Sequence, residues 1–221
     1  MELLTVKPIP TRDWKDKKDR RELVKEFDRN RKKSQQQVDE RIHYIWFHYL
    51  KLCLNLEGIK HSIEKRGRGG KVISKTKVKV SKTIYKKWDL NELSNRFGTQ
   101  TTMTFGEWYK DEKHKLLFTK GGFKYSRGSQ YHSLVKRYNV FIEYYNKMNT
   151  DYGDDGDGGR MTKKMKICED IVEKFQKVRY EQIKRTKIRS SLQTIVLNDI
   201  NDCEKTILSV CKGQFPKSLP T

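Results

Sequence analysis

Apolar side chains recur at steps of three and four residues in several stretches of this 221-residue chain. That spacing puts them on one face of an α-helix, which must then be buried against a neighbouring element. The first stripe ends just before Gly58, a residue type common at helix C-termini. Its members are Val38, Ile42, Ile45, Trp46, Tyr49, Cys53 and Leu56. No other feature constrains the fold as strongly, because the pattern predicts long amphipathic helices that pack on one another.

Three later stretches repeat the pattern. The first follows Ser129, a predicted helix cap, and places on one face Leu134, Tyr138, Phe141, Ile142, Tyr145 and Met148. The next begins near Thr162 and places on one face Met165, Cys168, Ile171, Val172, Phe175 and Val178. The last begins after Ser190 or Ser191, stops at Gly213, and places on one face Leu192, Val196, Ile200, Cys203, Ile207 and Cys211.

Shorter helices are predicted between these stretches. Ser81 can cap one of them, and capping boxes occur at residues 89–92 and 104–107. Two prolines disfavour helix in residues 1–12, which we expect to be extended. The predicted fold is therefore mostly α: an irregular bundle of five or six amphipathic helices with one basic extended arm or hairpin near residues 58–82.

The loop at residues 149–160 contains the sequence DYGDDGDGG and is the best candidate boundary in the chain. Neither frame of this loop has acids at the first, third and fifth positions of a calcium-binding hand, so we interpret it as a flexible acidic connector. It divides the chain into an N-terminal helical part at 1–148, with a long helix and the basic arm, and a C-terminal helical pair at 161–221.

The charge of the chain is strongly unbalanced. Its 49 lysines and arginines exceed its 28 acids and give a net charge of +21. Such an excess opposes compaction and attracts polyanions: nucleic acid, an anionic membrane surface or an acidic protein. The membrane is the weaker choice, because the basic segment at 60–87 is extended and its apolar residues are small. A lysine-rich surface that serves only solubility is the alternative explanation.

The positive charge is concentrated in one segment. Glu64 is the only acid between Lys60 and Lys87. The sequence RGRGG predicts a loop that lets a phosphate approach the backbone, and alternating apolar residues at 72–80 predict a strand. The eleven basic residues of this segment are the candidate phosphate contacts: Lys60, Lys65, Arg66, Arg68, Lys71, Lys75, Lys77, Lys79, Lys82, Lys86 and Lys87. Four of these lysines have odd numbers between 71 and 79, so an extended backbone would project them to one side.

A second basic cluster covers residues 163–189. Acids interleave with its cations through most of this range, which is typical of a solvated helix face. The acid-free end is the exception, and it adds four candidate contacts: Lys184, Arg185, Lys187 and Arg189. Tyr85 and Trp88 lie beside the first cluster and could stack on bases. Their spacing of three favours burial instead, for Trp88 above all.

Catalytic and metal-binding motifs are absent from the sequence. It contains no phosphate-binding loop, no nucleophile elbow and no HExxH helix. None of the four cysteines has a CxxC or Cys–His spacing, so we expect buried thiols in a reducing compartment. We predict that the chain is not an enzyme and binds no metal or cofactor.

Neither a signal peptide nor a run of ~20 apolar residues is present, which predicts an intracellular, cytoplasmic protein with no membrane partner. The leading hypothesis is a nucleic-acid-binding protein that grips a phosphate backbone through its basic arm. A composition rich in Lys, Asn, Tyr and Thr suggests a phage or mobile element. The alternative is a scaffold-like assembly protein or an inhibitor that docks on an acidic protein. DNA or RNA preference, sequence specificity and oligomeric state are left open.

Overall fold

A computed structural model describes residues 2–9, 31–67, 71–88, 90, 105, 128–150, 163, 166–172, 174 and 189–214. Five helices and two strands lie within these residues. They are α1 (Arg31–Gly58), β1 (Ser62–Arg66), β2 (Val72–Lys77), α2 (Lys82–Trp88), α3 (Gly128–Asn149), α4 (residues 166–172) and α5 (Arg189–Cys211). The described part is mostly helical, as predicted. Whether five or six helices form one bundle stays a prediction.

The predicted apolar stripes form the core of the described part. The helices α1, α3 and α5 contact one another pairwise. Most of their described stripe residues are buried, including Tyr49, Phe141 and Ile207, whereas Tyr145 and Met148 are partly buried. In α4 the stripe residues Ile171 and Val172 are buried in the same way. Each stripe is buried because a helix with one apolar face gains stability only by removing that face from water.

The two capping boxes fall largely outside the described residues. Leu90, from the first box region, is fully buried, and the ring of Phe105, from the second, lies 5.1 Å from the ring of Tyr44. The helix α3 begins at Gly128 and α5 at Arg189, so the predicted caps fall inside their first turns.

The end of α1 is built around Lys60. The Lys60 N–H donates to Glu57 O at 3.0 Å and the His61 N–H to Leu56 O at 2.8 Å, the two hydrogen bonds of a Schellman motif. The left-handed residue of that motif is Lys60, at φ 55°, and not the predicted Gly58. The helix α5 ends in the same motif with the expected glycine, Gly213, at φ 77°.

Two asparagines on α3 hold the N-terminal segment. The buried Asn139 side chain accepts from the Ile9 N–H and donates to Ile9 O, both at 2.8 Å. Seven residues along the helix, Asn146 accepts from the Leu4 N–H at 2.7 Å. Leu4 and Ile9 are buried, so the N-terminal segment, which was predicted to be extended, packs on the helical body.

Ion pairs cross the contact between α3 and α5. Lys136 Nζ lies 2.6 Å from Asp199 Oδ2, and Arg137 Nη2 lies 2.8 Å from Asp202 Oδ2. The predicted boundary at 149–160 follows the end of α3, and its residues 151–160 lie outside the described part. The three-part organisation therefore stays a prediction.

Candidate nucleic-acid interface

The predicted basic arm is an antiparallel β-hairpin. Ser62 lies opposite Lys77, and Glu64 lies opposite Lys75. The Gly67 N–H donates to Lys71 O at 2.9 Å and closes the loop that contains the predicted RGRGG turn. We call residues 61–80 the hairpin, and the end of it that carries this loop its tip.

The base of the hairpin is part of the core. The Val78 N–H donates to His61 O at 2.9 Å, next to the Schellman motif of α1. Ile63, Val78 and Val80 are buried. Because these apolar side chains are removed from water together with the helices, the base cannot move without exposing them. The hairpin is thus anchored where it meets the body.

Glu57, in the last turn of α1, ties the far side of the hairpin to the same helix. Its Oε2 accepts from the Val80 N–H at 3.2 Å and from the Tyr85 hydroxyl at 2.9 Å. Burial and the adjacent carboxylate raise the pKa of Tyr85, so the phenol keeps its proton and donates it to Glu57. Tyr85 therefore supports the hairpin and is not a free stacking platform.

Ser81 connects the hairpin to α2 and α5. Its N–H donates to Cys211 O at 2.8 Å, the last residue of α5. Its hydroxyl oxygen accepts from the Ile84 N–H at 3.4 Å, which caps α2 as predicted. Three helices therefore fix the direction in which the hairpin leaves the body.

Beyond its base the hairpin is exposed and cationic. Every side chain of β2 is exposed. Lys75 and Lys77 are two residues apart in this strand and so share a face, as predicted. Eight of the predicted contacts have described side chains, and all eight are exposed: Lys60, Lys65, Lys71, Lys75, Lys77, Lys79, Lys82 and Lys86.

The remaining predicted contacts cannot be placed in the same way. Arg66 belongs to β1, Lys87 to α2 and Arg189 to α5, but only their backbones are described. Four others lie wholly outside the described residues: Arg68, Lys184, Arg185 and Lys187. Five of the eight described lysines belong to the hairpin, Lys60 directly precedes it, and Lys82 and Lys86 lie in α2. The second cluster stays a prediction.

A single weak ion pair involves the hairpin lysines within the described residues. Lys75 Nζ lies 3.5 Å from Glu64 Oε1 across the two strands, and the Lys75 side chain is 63% exposed. An exposed pair of this kind contributes about 0–1 kcal/mol and leaves the cation open to solvent. His61 adds no charge near neutral pH, because burial and then Lys75 lower its pKa.

Acids of the helical body, in contrast, face body cations. Lys147 Nζ lies 2.9 Å from Asp170 Oδ2, and Lys174 Nζ lies 2.7 Å from Glu143 Oε2, in addition to the pairs between α3 and α5. The positive charge of the described part is therefore partly balanced within the body and largely unbalanced on the hairpin.

Sequence reasoning missed three residues that shape this interface. In the sequence Glu57 resembles an ordinary surface charge at a helix end, and no local pattern predicts that it accepts hydrogen bonds from Val80 and Tyr85. Ile63 lies among basic residues, and only its pairing with Thr76 and its burial show that it belongs to the core. Ile73 appears in a plain alternating stretch, although its side chain is 65% exposed.

Two other kinds of site, a membrane-spanning helix and a metal site, have no support in the described residues. No helix of the described part has the length and apolar character needed to cross a membrane. Within the described ranges, no group of three or more His, Cys, Asp or Glu side chains is arranged to hold a metal ion. The four cysteines, all within the described residues, are buried thiols outside any disulfide, as predicted.

Comparison with known proteins finds no counterpart: no protein-family model, no curated protein and no solved structure matches the chain. Interpretation of the interface therefore depends on its own geometry and charge.

Proposed function

We propose that the chain is a non-enzymatic nucleic-acid-binding protein that grips a phosphate backbone with the hairpin. The observation that carries this proposal is the exposure of eight lysines at 60–86, of which Lys75 alone has an acidic partner in the described part. Exposed cations release counterions from a nucleic acid when they neutralise its phosphates, and this release dominates non-specific affinity.

The conformation of Lys60 supports the same proposal. A side chain in the left-handed region costs about 1–2 kcal/mol, and glycine would avoid that cost. Gly213 occupies the equivalent position at the end of α5. A lysine in a position that favours glycine, at the start of the cationic hairpin, is consistent with selection for its charge at the expense of stability.

The anchoring of the hairpin base also supports a binding role. A flexible basic tail would lose conformational entropy on binding, whereas a hairpin held by Glu57, Ser81 and the buried Ile63 is already ordered. Phosphate contacts from such a ribbon would fix its orientation on the nucleic acid without reading sequence. Phage or mobile-element origin, suggested by composition, remains part of this proposal.

The test is the affinity of the full chain for a fluorescent duplex, measured by anisotropy at ~100 mM salt. The variant Lys75→Gln, Lys77→Gln, Lys79→Gln should bind at least about tenfold more weakly, because three phosphate contacts are lost. A control with the same change in net charge outside the hairpin, Lys7→Gln, Lys163→Gln, Lys205→Gln, should lose much less. Equal losses in the two variants would refute a hairpin-centred interface, and no binding at low salt would refute nucleic-acid binding.

An acidic protein partner is the second candidate function. The exposed apolar side chains of Val72 and Ile73 beside the lysines favour it, since protein interfaces combine an apolar centre with a charged rim. Capture of partners from a nuclease-treated lysate separates the two functions. A partner retained after nuclease treatment, and lost on neutralisation of the hairpin lysines, would support the acidic protein.

A further inference from the structure

The tip of the hairpin exposes apolar surface that the phosphate contacts do not explain. Three large apolar side chains of the described residues are exposed: Leu3 at 47%, Val72 at 40% and Ile73 at 65%. Two of the three are neighbours in β2, next to the loop. Isolated exposed apolar residues are ordinary, but an adjacent pair at the end of a projecting ribbon suggests a contact surface.

Ile73 is held in place. The strand register passes from Lys65 opposite Ser74 to Arg66 opposite Val72, so Ile73 lies at an irregularity with no partner in β1. Its side chain lies over Gly67, where an added Cβ would come within 2.7 Å of Ile73 Cδ1. Because Gly67 has no side chain, the Ile73 side chain can occupy the space above it. The isoleucine is therefore positioned by the ribbon although it faces solvent.

Exposed lysines precede and follow this apolar pair along the ribbon. Lys71 precedes β2, Lys75 and Lys77 continue along it, and Lys65 lies across the ribbon, all exposed. An apolar side chain with exposed lysines on both sides of it along the ribbon matches one feature of duplex DNA, where stacked apolar bases lie between two rows of phosphates. Isoleucine is among the side chains that DNA-bending proteins insert between base pairs from the minor groove.

We infer that the hairpin enters the minor groove of duplex DNA and that Ile73 acts as a wedge between two base pairs and kinks the duplex. This inference depends on the proposed function and names its ligand and binding mode. The flanking lysines contribute affinity by contacting phosphates, and Ile73 bends the duplex by separating two base pairs. Kinking is easiest at flexible TA and CA/TG steps, so a preference for such steps would follow without hydrogen bonds to bases.

The experiment measures binding and bending in one titration. A 24-base-pair duplex with a central TA step and a dye at each end reports affinity by anisotropy and end-to-end distance by energy transfer. The full chain should bind and shorten the distance, as expected for a kink of about 20–90°. Ile73→Ala should abolish the shortening at saturation while lowering affinity by no more than about tenfold.

Two controls separate the wedge from general binding. Leu3→Ala truncates another exposed apolar residue and should leave bending unchanged. Lys75→Gln with Lys77→Gln should weaken affinity yet give full bending at saturation. Tight binding without bending, or an Ile73→Ala variant that bends like the parent, overturns the wedge and leaves the proposed function standing. Absence of binding to any nucleic acid, with capture of a protein instead, overturns both.

Discussion

Replacement of Lys60 by glycine should stabilise the protein and weaken its binding at the same time. Lys60 has φ 55° in the Schellman motif that ends α1, where its own N–H donates to Glu57 O and the next residue, His61, donates to Leu56 O. Glycine adopts this conformation without a clash between Cβ and the backbone, whereas lysine does not. The substitution keeps both backbone hydrogen bonds and removes one exposed cation of the hairpin region.

The expected gain follows from two opposing terms. Relief of the left-handed conformation contributes about 1–2 kcal/mol, and the greater freedom of glycine in the unfolded chain removes about 0.5–1 kcal/mol. The net change in the free energy of unfolding should therefore be a stabilisation of about 0.75 kcal/mol, the middle of a range of about 0–1.5 kcal/mol. In a chain of this length 1 kcal/mol shifts Tm by roughly 2–4 °C, so the expected rise is about 1.5–3 °C.

Lys60→Ala is the matched control, since it removes the same charge but keeps a Cβ in the left-handed region. Urea unfolding followed by circular dichroism should show Lys60→Gly to be more stable than Lys60→Ala, while duplex anisotropy shows the same loss of affinity for both. If the alanine variant gained as much stability as the glycine variant, the gain would come from relief of charge repulsion. The argument from backbone strain would then be wrong.

Three further predictions concern residues that sequence patterns did not mark. Glu57→Ala removes the acceptor of two hydrogen bonds and should lower the free energy of unfolding by about 1–3 kcal/mol in urea titration, with faster tryptic cleavage in the hairpin. The variant Asn139→Leu should lower the free energy of unfolding by about 1–3 kcal/mol in the same titration, and by more than Asn146→Leu does, because it leaves buried backbone groups without partners. Equal losses in the two variants would contradict the argument from the burial of Asn139. Burial, and secondarily Lys51, lowers the pKa of His48 to about 4. Folding therefore favours the neutral form of His48. Its contribution to the free energy of unfolding should be fully present above pH ~6.5 and should fall by up to about 3 kcal/mol as the pH approaches 4. The variant His48→Gln should largely remove this pH dependence.

The helical part of the fold could be predicted because the spacing of nearby apolar residues in the sequence determines which face of a helix is buried. The residues Tyr49, Phe141 and Ile207 were identified as core from spacing alone, since the period of a helix decides which face is buried. Asn139 was not identified, although it is as buried as its apolar neighbours. Its partner, Ile9, is 130 residues away in the sequence, and no periodicity records such a pairing.

The hairpin was predictable in position but not in detail. Alternating apolar residues and the RGRGG loop predict an extended basic excursion, and this is confirmed. The strand register that puts Ile63 opposite Thr76 depends on which side chains fit into the core. A shift by one residue would move every side chain of the strand to the other face of the hairpin. The left-handed Lys60 was missed because Gly58, two residues earlier, carries the usual signal for a helix end.

The salt dependence of duplex binding tests the central claim most directly. The slope of log K against log salt should be flatter by roughly three units in the variant Lys75→Gln, Lys77→Gln, Lys79→Gln than in the parent chain, because each phosphate contact contributes about 0.9 to the slope. Equal slopes for the two proteins would mean that these exposed lysines do not contact phosphate, and the assignment of the hairpin as the nucleic-acid interface would be wrong.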